Sequence, residues 1–355
     1  MNRVWFHYVL ILAIAVILGA CSSGKHMLSG PGQLIVYPSP PDTARIQFLT
    51  SFSNSVDITG QRTGLMKILA GPREPVPIFK PYGIAIYKGR IFICDTRVKG
   101  LDVVDLNNYT YEMFTPGGRG ALKKPINCFI DTSGMLYVAD VERKQVVIFD
   151  KNLEYVGSFG DASVIKPTDV FPYEDKIFVA DIKNHEVKVY SKADYSLLYA
   201  VPNDRTDPAG ALFSPSNIYV RNGRLYVSDM GSANVKQYTV KGKYIRTYGS
   251  LGAMLGQQVR PKGIAVDRDG ILYVVDAAFE NVQMFNSEGK LLMFFGGPYK
   301  GPGDMWLPAK VVVDYDNVQY FQPLVDPGFN LKYLIFVTNQ FGPDKINVYG
   351  FVEEK

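Results

Sequence analysis

Apolar and polar positions follow one another along this chain in short blocks, not in the long three-and-four stripes of amphipathic helices. A proline opens each block: Pro81, Pro125, Pro167, Pro215, Pro261 and Pro308, spaced 44, 42, 48, 46 and 47 residues apart. Behind it comes a run such as Pro81-Tyr82-Gly83-Ile84-Ala85-Ile86 or Pro261-Lys262-Gly263-Ile264-Ala265-Val266. A turn follows, then an apolar segment closing on Asp or Asn: Ile91–Asp95, Leu136–Asp140, Ile177–Asp181, Leu225–Asp229, Leu272–Asp276 and a degenerate Leu334–Asn339. A third segment comes next (Val146–Phe149, Val187–Tyr190, Val235–Tyr238, Val282–Phe285, Ile346–Tyr349), and a fourth often ends in aromatic-Gly, as at Phe159-Gly160, Tyr248-Gly249 and Phe295-Gly296. Short β-branched and aromatic runs between turn formers predict strands.

Four short strands per repeat make one propeller blade. The expected fold is therefore all-β, a six-bladed β-propeller of four-stranded blades over residues 44–355. The last copy supplies only three strands before Val352. Upstream, Ala44–Phe52 matches a fourth strand, so it is expected to complete the sixth blade and close the ring, hiding edges that would otherwise pair with other chains. Two segments break the pattern. Residues 53–78 form a linker or plug in which Gly64–Gly71 predicts a short helix before Pro72. It is expected either to pack across a propeller face or to dock a partner. Asp316–Lys332 inserts between the first two strands of blade six and carries Tyr320, Phe321, Leu324 and Phe329. Such an aromatic insertion either packs on itself or serves recognition.

The units resemble NHL repeats, whose pattern runs Pro-x-Gly-Ile-Ala-Val-Asp, then Tyr-Val-Ala-Asp, a strand and aromatic-Gly. Residues Pro261–Gly296 match it best, and the resemblance extends from Phe79 to Val352. It implies the fold and leaves function open, because NHL propellers include enzymes, binders and scaffolds.

The first residues read as an address. Arg3, an apolar run from Val4 to Leu18 and the small residues Gly19-Ala20 before Cys21 make a secretory signal over 1–20. The run is short for a span of ~20 residues. Leu18-Gly19-Ala20-Cys21 resembles a bacterial lipobox, which implies cleavage before Cys21, acylation of that residue and a lipid-anchored tether over 21–43. Ser22 in place of Asp implies, from the same family pattern in a Gram-negative host, sorting to the outer membrane. The expected location is the bacterial cell envelope, with the membrane held through the N-terminal lipid.

Composition adds exclusions. With 47% hydrophobic and 20% charged residues, the chain is too apolar to be disordered, and the 33 Gly and 22 Pro suit many turns. Net charge is +4, too balanced to argue for nucleic acid. Arg97, Lys99, Arg143, Lys144 and Lys183 form a partial basic patch broken by Glu142 and Glu186; with export, no nucleic-acid partner is expected. Of the three cysteines, Cys94 and Cys128 remain beside Cys21. An exported protein can pair them, but both sit in apolar strands, which points to buried thiols. No Cys-x-x-Cys-His occurs, so no c-type haem is expected.

Candidate chemistry lies in the channel. The second residue after each repeat proline is Gly83, Asn127, Asp169, Asn217, Gly263 and Lys310. The channel-mouth ligand candidates are Asn127, Asp169, Asn217 and Lys310, with Asp169 and Lys310 on opposite blades. Asn127, Asp169 and Asn217 form an oxygen-rich arc suited to a hard cation such as Ca²⁺, or else a hydrated polar lining. No cofactor is predicted beyond that. Peptide-amidating lyases of the NHL group use several histidines around zinc, and His26 and His185 are too few. Sugar lactonases add a glutamate ligand on an early inner strand, where this chain has Gly83, and Lys310 would set a positive charge beside the metal. The repeated Asp95, Asp140, Asp181, Asp229 and Asp276 are expected to accept backbone N–H groups at strand ends. The leading expectation is a non-catalytic envelope scaffold with a protein partner; the alternative is a metal-dependent or small-ligand hydrolase or lyase using the channel.

Overall fold

The computed structural model describes residues 28–62, 64–161, 163 and 165–355. The signal sequence and Cys21 lie outside the described residues. Six antiparallel sheets follow one another around a ring. Blade one consists of Pro81–Tyr87, Arg90–Asp95, Leu101–Asp105 and Thr110–Phe114, paired in that order from the channel outward. Blades two to five repeat it, with inner strands Pro125–Ile130, Pro167–Tyr173, Pro215–Arg221 and Pro261–Val266. Blade six has Pro308–Asp314, Phe329–Asn339 and Ile346–Glu354, and its fourth strand is Ile46–Phe52 from the other end of the sequence. The inner strands touch in circular order, blade six against blade one.

Apolar side chains on both faces of each sheet explain the ring. Six separate cores form, each shared by two neighbouring blades: Ile84, Ile91 and Ile93 of blade one pack with Leu334, Phe336 and Val348 of blade six. No blade has a core of its own, so none is stable apart from its neighbours.

The repeated aspartates bind the ring locally. Asp95, Asp140, Asp181, Asp229 and Asp276 are fully buried. Asp140 accepts from the N–H groups of Lys123 (2.6 Å), Lys124 (3.0 Å), Glu142 (3.2 Å) and Arg143 (2.9 Å). One carboxylate thus holds both the turn after its own strand and the loop ahead of the inner proline. Asp276 does the same for Val259, Arg260 and Ala278. In blade six Asn339 takes this place, and its amide oxygen accepts from the Trp306 N–H at 3.4 Å.

Several details differ from expectation. Val36–Tyr37 adds a fifth strand to blade six, so the expected tether gives way to ordered chain before residue 43. The helix Gly64–Ala70 is present, and its Ile68 and Leu69 are 80% and 71% exposed. A second helix in this segment, Ser55–Thr59, begins with a capping box between Asn54 and Asp57, and Ile58 and Ile78 are buried. The blade-six insertion is shorter than expected because Phe329–Leu331 pair with Val352–Glu354 and lengthen the second strand. Its Phe321 is fully buried, 5.6 Å from the Phe336 ring, so the insertion packs on the propeller. Cys94 and Cys128 are buried free thiols.

One buried acid stands out. Asp102, 1% exposed, receives the Tyr111 hydroxyl at 2.8 Å on one oxygen, while the other has no partner. Burial pushes its carboxyl up to about 7, with the Asp95 charge adding and the Tyr111 bond opposing. Because the folded value lies above the ordinary 3.8, native stability falls as pH rises from about 4 to 7. Asp102→Asn should therefore raise the melting temperature at pH 8, with the gain vanishing near pH 4. A gain equal at both pH values in circular-dichroism melts would show that charge burial is not its source.

Candidate functional site

Each inner strand carries a bulge just after its proline. The register against the second strand shifts between Pro125 and Asn127, Pro167 and Asp169, and Pro215 and Asn217, and between Pro81 and Ile84, Pro261 and Ile264, and Pro308 and Val311. A bulge re-aims one side chain out of the pleat, and here it turns the second residue after the proline toward the axis. At Gly83 a Cβ would lie 2.5 Å from the Asn127 Cα, and at Gly263 2.4 Å from the Lys310 Cα. These two glycines let the next blade's polar residue come close, which narrows the channel.

The four sequence candidates meet there. Lys310 Nζ donates to Asp169 Oδ2 at 2.6 Å and to Asn217 Oδ1 at 3.2 Å. Asn127 donates to Asn217 Oδ1 at 3.3 Å and to the Thr168 carbonyl at 2.7 Å. Asp169 also accepts from the Ile218 and Val170 N–H groups, both at 3.0 Å. All four side chains are buried. Burial pushes the Asp169 carboxyl up, and the facing Lys310 ammonium pulls against that shift.

This arrangement suits an internal ion pair better than a bound Ca²⁺. The arc of Asn127, Asp169 and Asn217 holds one anionic side chain, and its Oδ2 is taken by Lys310. Hard cations need six or more oxygen ligands, and an added cation would meet the ammonium at close range. Among the described residues no group of three His, Cys, Asp or Glu side chains is placed to hold a metal.

The polar layer divides the channel. On one side lies a cavity of about 200 Å³ with Lys310 in its wall, lined by Ile84, Ile130, Phe171 and Val311, with Arg268 and Asp316 also bordering it. On the other side Tyr82 faces Asn217, and burial pushes its phenol up to about 12. Lys262 lies above it, its Nζ 5.2 Å from the Tyr82 ring centroid. Lys262 is 4% exposed. Burial, with Arg260 and Lys80 adding, drives its ammonium down to about 7. Both residues occupy the first position after the proline, one place before the position singled out from sequence.

The propeller's two faces differ. On the face where the inner strands begin lie the long connections between blades. Phe79, Phe213, Leu251, Met254, Leu255, Trp306 and Phe341 are exposed there, beside Ile68 and Leu69. Lys80, Lys124, Lys166 and Arg260 all directly precede a repeat proline on this face. Lys or Arg before proline in four copies was a signal present in the repeat itself. Lys124 pairs with exposed Glu142 at 3.2 Å, a contact worth little. The opposite face carries mainly tight turns.

Two stability experiments follow. Lys310→Met leaves a buried carboxylate facing no cation and should cost about 3–5 kcal/mol. Lys310→Met/Asp169→Asn should recover most of that loss in urea unfolding; no recovery would show that the pair is not coupled. Lys262→Met should melt above wild type at pH 6. Since the lysine's folded value is depressed from 10.5 to about 7, wild type gains stability between those values, so the difference should close toward pH 10.

No family model and no curated relative matches the sequence. Solved structures do share the fold. One is a protein of unknown function from Bacteroides thetaiotaomicron, with TM-score 0.60 and 16% identity over 87% of this chain and 76% of that one. Another is a gluconolactonase from Xanthomonas campestris, at 0.57 and 14%, covering 91% and 98%. A third is virginiamycin B lyase from Staphylococcus aureus, at 0.51 and 13%, covering 76% and 80%. At these identities the likeness is one of fold: this chain is a six-bladed β-propeller similar in architecture to a lactonase and a lyase.

Proposed function

We propose that this chain is an exported, lipid-anchored binding protein of the bacterial envelope, held through Cys21 and built from NHL-type repeats. Its propeller presents the long-loop face to a protein partner. The observation that carries this reading is that large exposed apolar side chains, Phe213, Leu255, Trp306 and Phe341 among them, lie on the same face as the cations Lys80, Lys166 and Arg260 that precede the inner strands. Exposed apolar groups beside charged ones mark interaction surfaces. Charge complementarity selects a partner with an acidic, apolar patch. The outer-membrane location rests on Ser22 and the lipobox resemblance.

A second reading is a small-ligand or metal-dependent hydrolase or lyase with its site in the channel. It draws on the lyase and lactonase named among the neighbours and on the cavity beyond Lys310. The Lys310 ammonium bound to Asp169 and Asn217 weighs against it.

The test is affinity purification from detergent-solubilised envelope with quantitative mass spectrometry. One stoichiometric partner should be retained by wild type and by Leu197→Glu, which alters an outer-strand edge. Leu255→Glu and Phe213→Glu on the loop face should each reduce it at least about tenfold. Equal retention by all variants, or a solitary protein that turns over a small molecule, would overturn the proposal.

A further inference from the structure

We propose that the channel mouth on the long-loop face is a binding site for the oxyanion of a small molecule, a carboxylate or phosphate, held by Lys262, Lys80 and Arg260 over Tyr82. This inference goes beyond the partner-docking reading and stands without it.

The first support is an unpartnered buried cation. Lys262 is more than nine-tenths buried, and its Nζ makes no hydrogen bond or ion pair among the described residues; it stands over the Tyr82 ring. Burying an ammonium without a counter-charge is costly, and the charges that act on Lys262 most strongly are themselves cations, Arg260 and Lys80. Lys310 shows how this fold treats a cation that serves structure alone. It is buried nearby and meets a carboxylate at 2.6 Å. Lys262 lacks such a partner.

The second support is the convergence of elements. Lys80 comes from the loop into blade one, Arg260 from the loop into blade five, and Lys262 from the bulge of blade five. Lys80 also stands 4.9 Å from the centroid of the half-exposed Phe341 ring. The strand-end carboxylates of these two blades, Asp95 and Asp276, make no ion pair with Lys262. Asp95 is committed to the N–H groups of Phe79, Lys80 and Arg97. Asp276 is committed to those of Val259, Arg260 and Ala278. The mouth therefore offers a net positive charge in a desolvated setting, where ionic hydrogen bonds are strong, with aromatic surface beside it for the body of an organic acid.

The experiment is isothermal titration calorimetry on the full-length protein in detergent at pH 6 and low salt, with citrate and inorganic phosphate as separate probes. At least one probe should bind with Kd on the order of 1 mM or tighter. Citrate binding alone would assign a polycarboxylate site, and phosphate binding alone a phosphate site. Lys262→Met should weaken the bound probe at least about tenfold, and Arg260→Gln by a smaller factor. Lys151→Met, on the opposite face, should change nothing. Near-ultraviolet circular dichroism confirms that each variant is folded, and Arg260→Gln keeps the test available should Lys262→Met alter the mouth. Absence of binding by both probes would overturn the site, as would affinities in Lys262→Met and Arg260→Gln equal to wild type. A lost protein partner with intact citrate or phosphate binding would instead count against the docking reading alone.

Discussion

A propeller ring holds only when its two ends share one blade. Here the pairing of Ile46–Phe52 with Ile346–Glu354 meets that condition. The core between blades one and six depends on it, because those blades are neighbours only once the chain has returned. The cost is entropic: nearly the whole sequence lies between the paired strands. What offsets it is the cooperative burial of all six cores, so the propeller is expected to form as a unit and not blade by blade.

The channel shows how such a closed ring handles its axis. Six bulges turn six residues inward, and the space cannot hold six large side chains. Gly83 and Gly263 yield room, Asn127 and Asn217 bridge, and Lys310 crosses to Asp169. The charges are paired where the walls press closest and left unpaired one residue earlier, at Lys262. That step of one position separates a structural polar layer from a candidate ligand site.

Much of this was legible in the sequence. Repeat prolines, strand-end aspartates and aromatic-Gly pairs recur because each meets the same local need, and Asp140 shows it: the motif residue holds the motif's own two loops. The channel residues were legible as positions, since the bulge follows from the repeat. Their partners were not. Whether Asp169 meets a metal or Lys310 depends on the channel diameter, which Gly83 and Gly263 set through contacts with the following blade. Tyr82 and Lys262 carry no such signal, because the repeat pattern marks only the second residue after the proline as the inward one. The helix Ser55–Thr59 has its capping signal, Asn54 and Asp57, in plain sequence, but one turn of helix leaves no periodicity to find. The extension of blade six to Phe329 arises from pairing with the C-terminal strand, a long-range match that no local pattern records.

The short strand Val36–Tyr37 has a geometric consequence for the chain as a tethered object. It lies on the outermost edge of blade six, and the segment before it runs alongside Ile46–Phe52, with Gly30 beside Leu49 and the Ser29 carbonyl accepting from the Thr50 hydroxyl. A cord attached there pulls on the rim of the disc. Under the proposed anchor at Cys21, the disc would hang from its edge like a coin on a thread, leaving both flat sides open to the space around it.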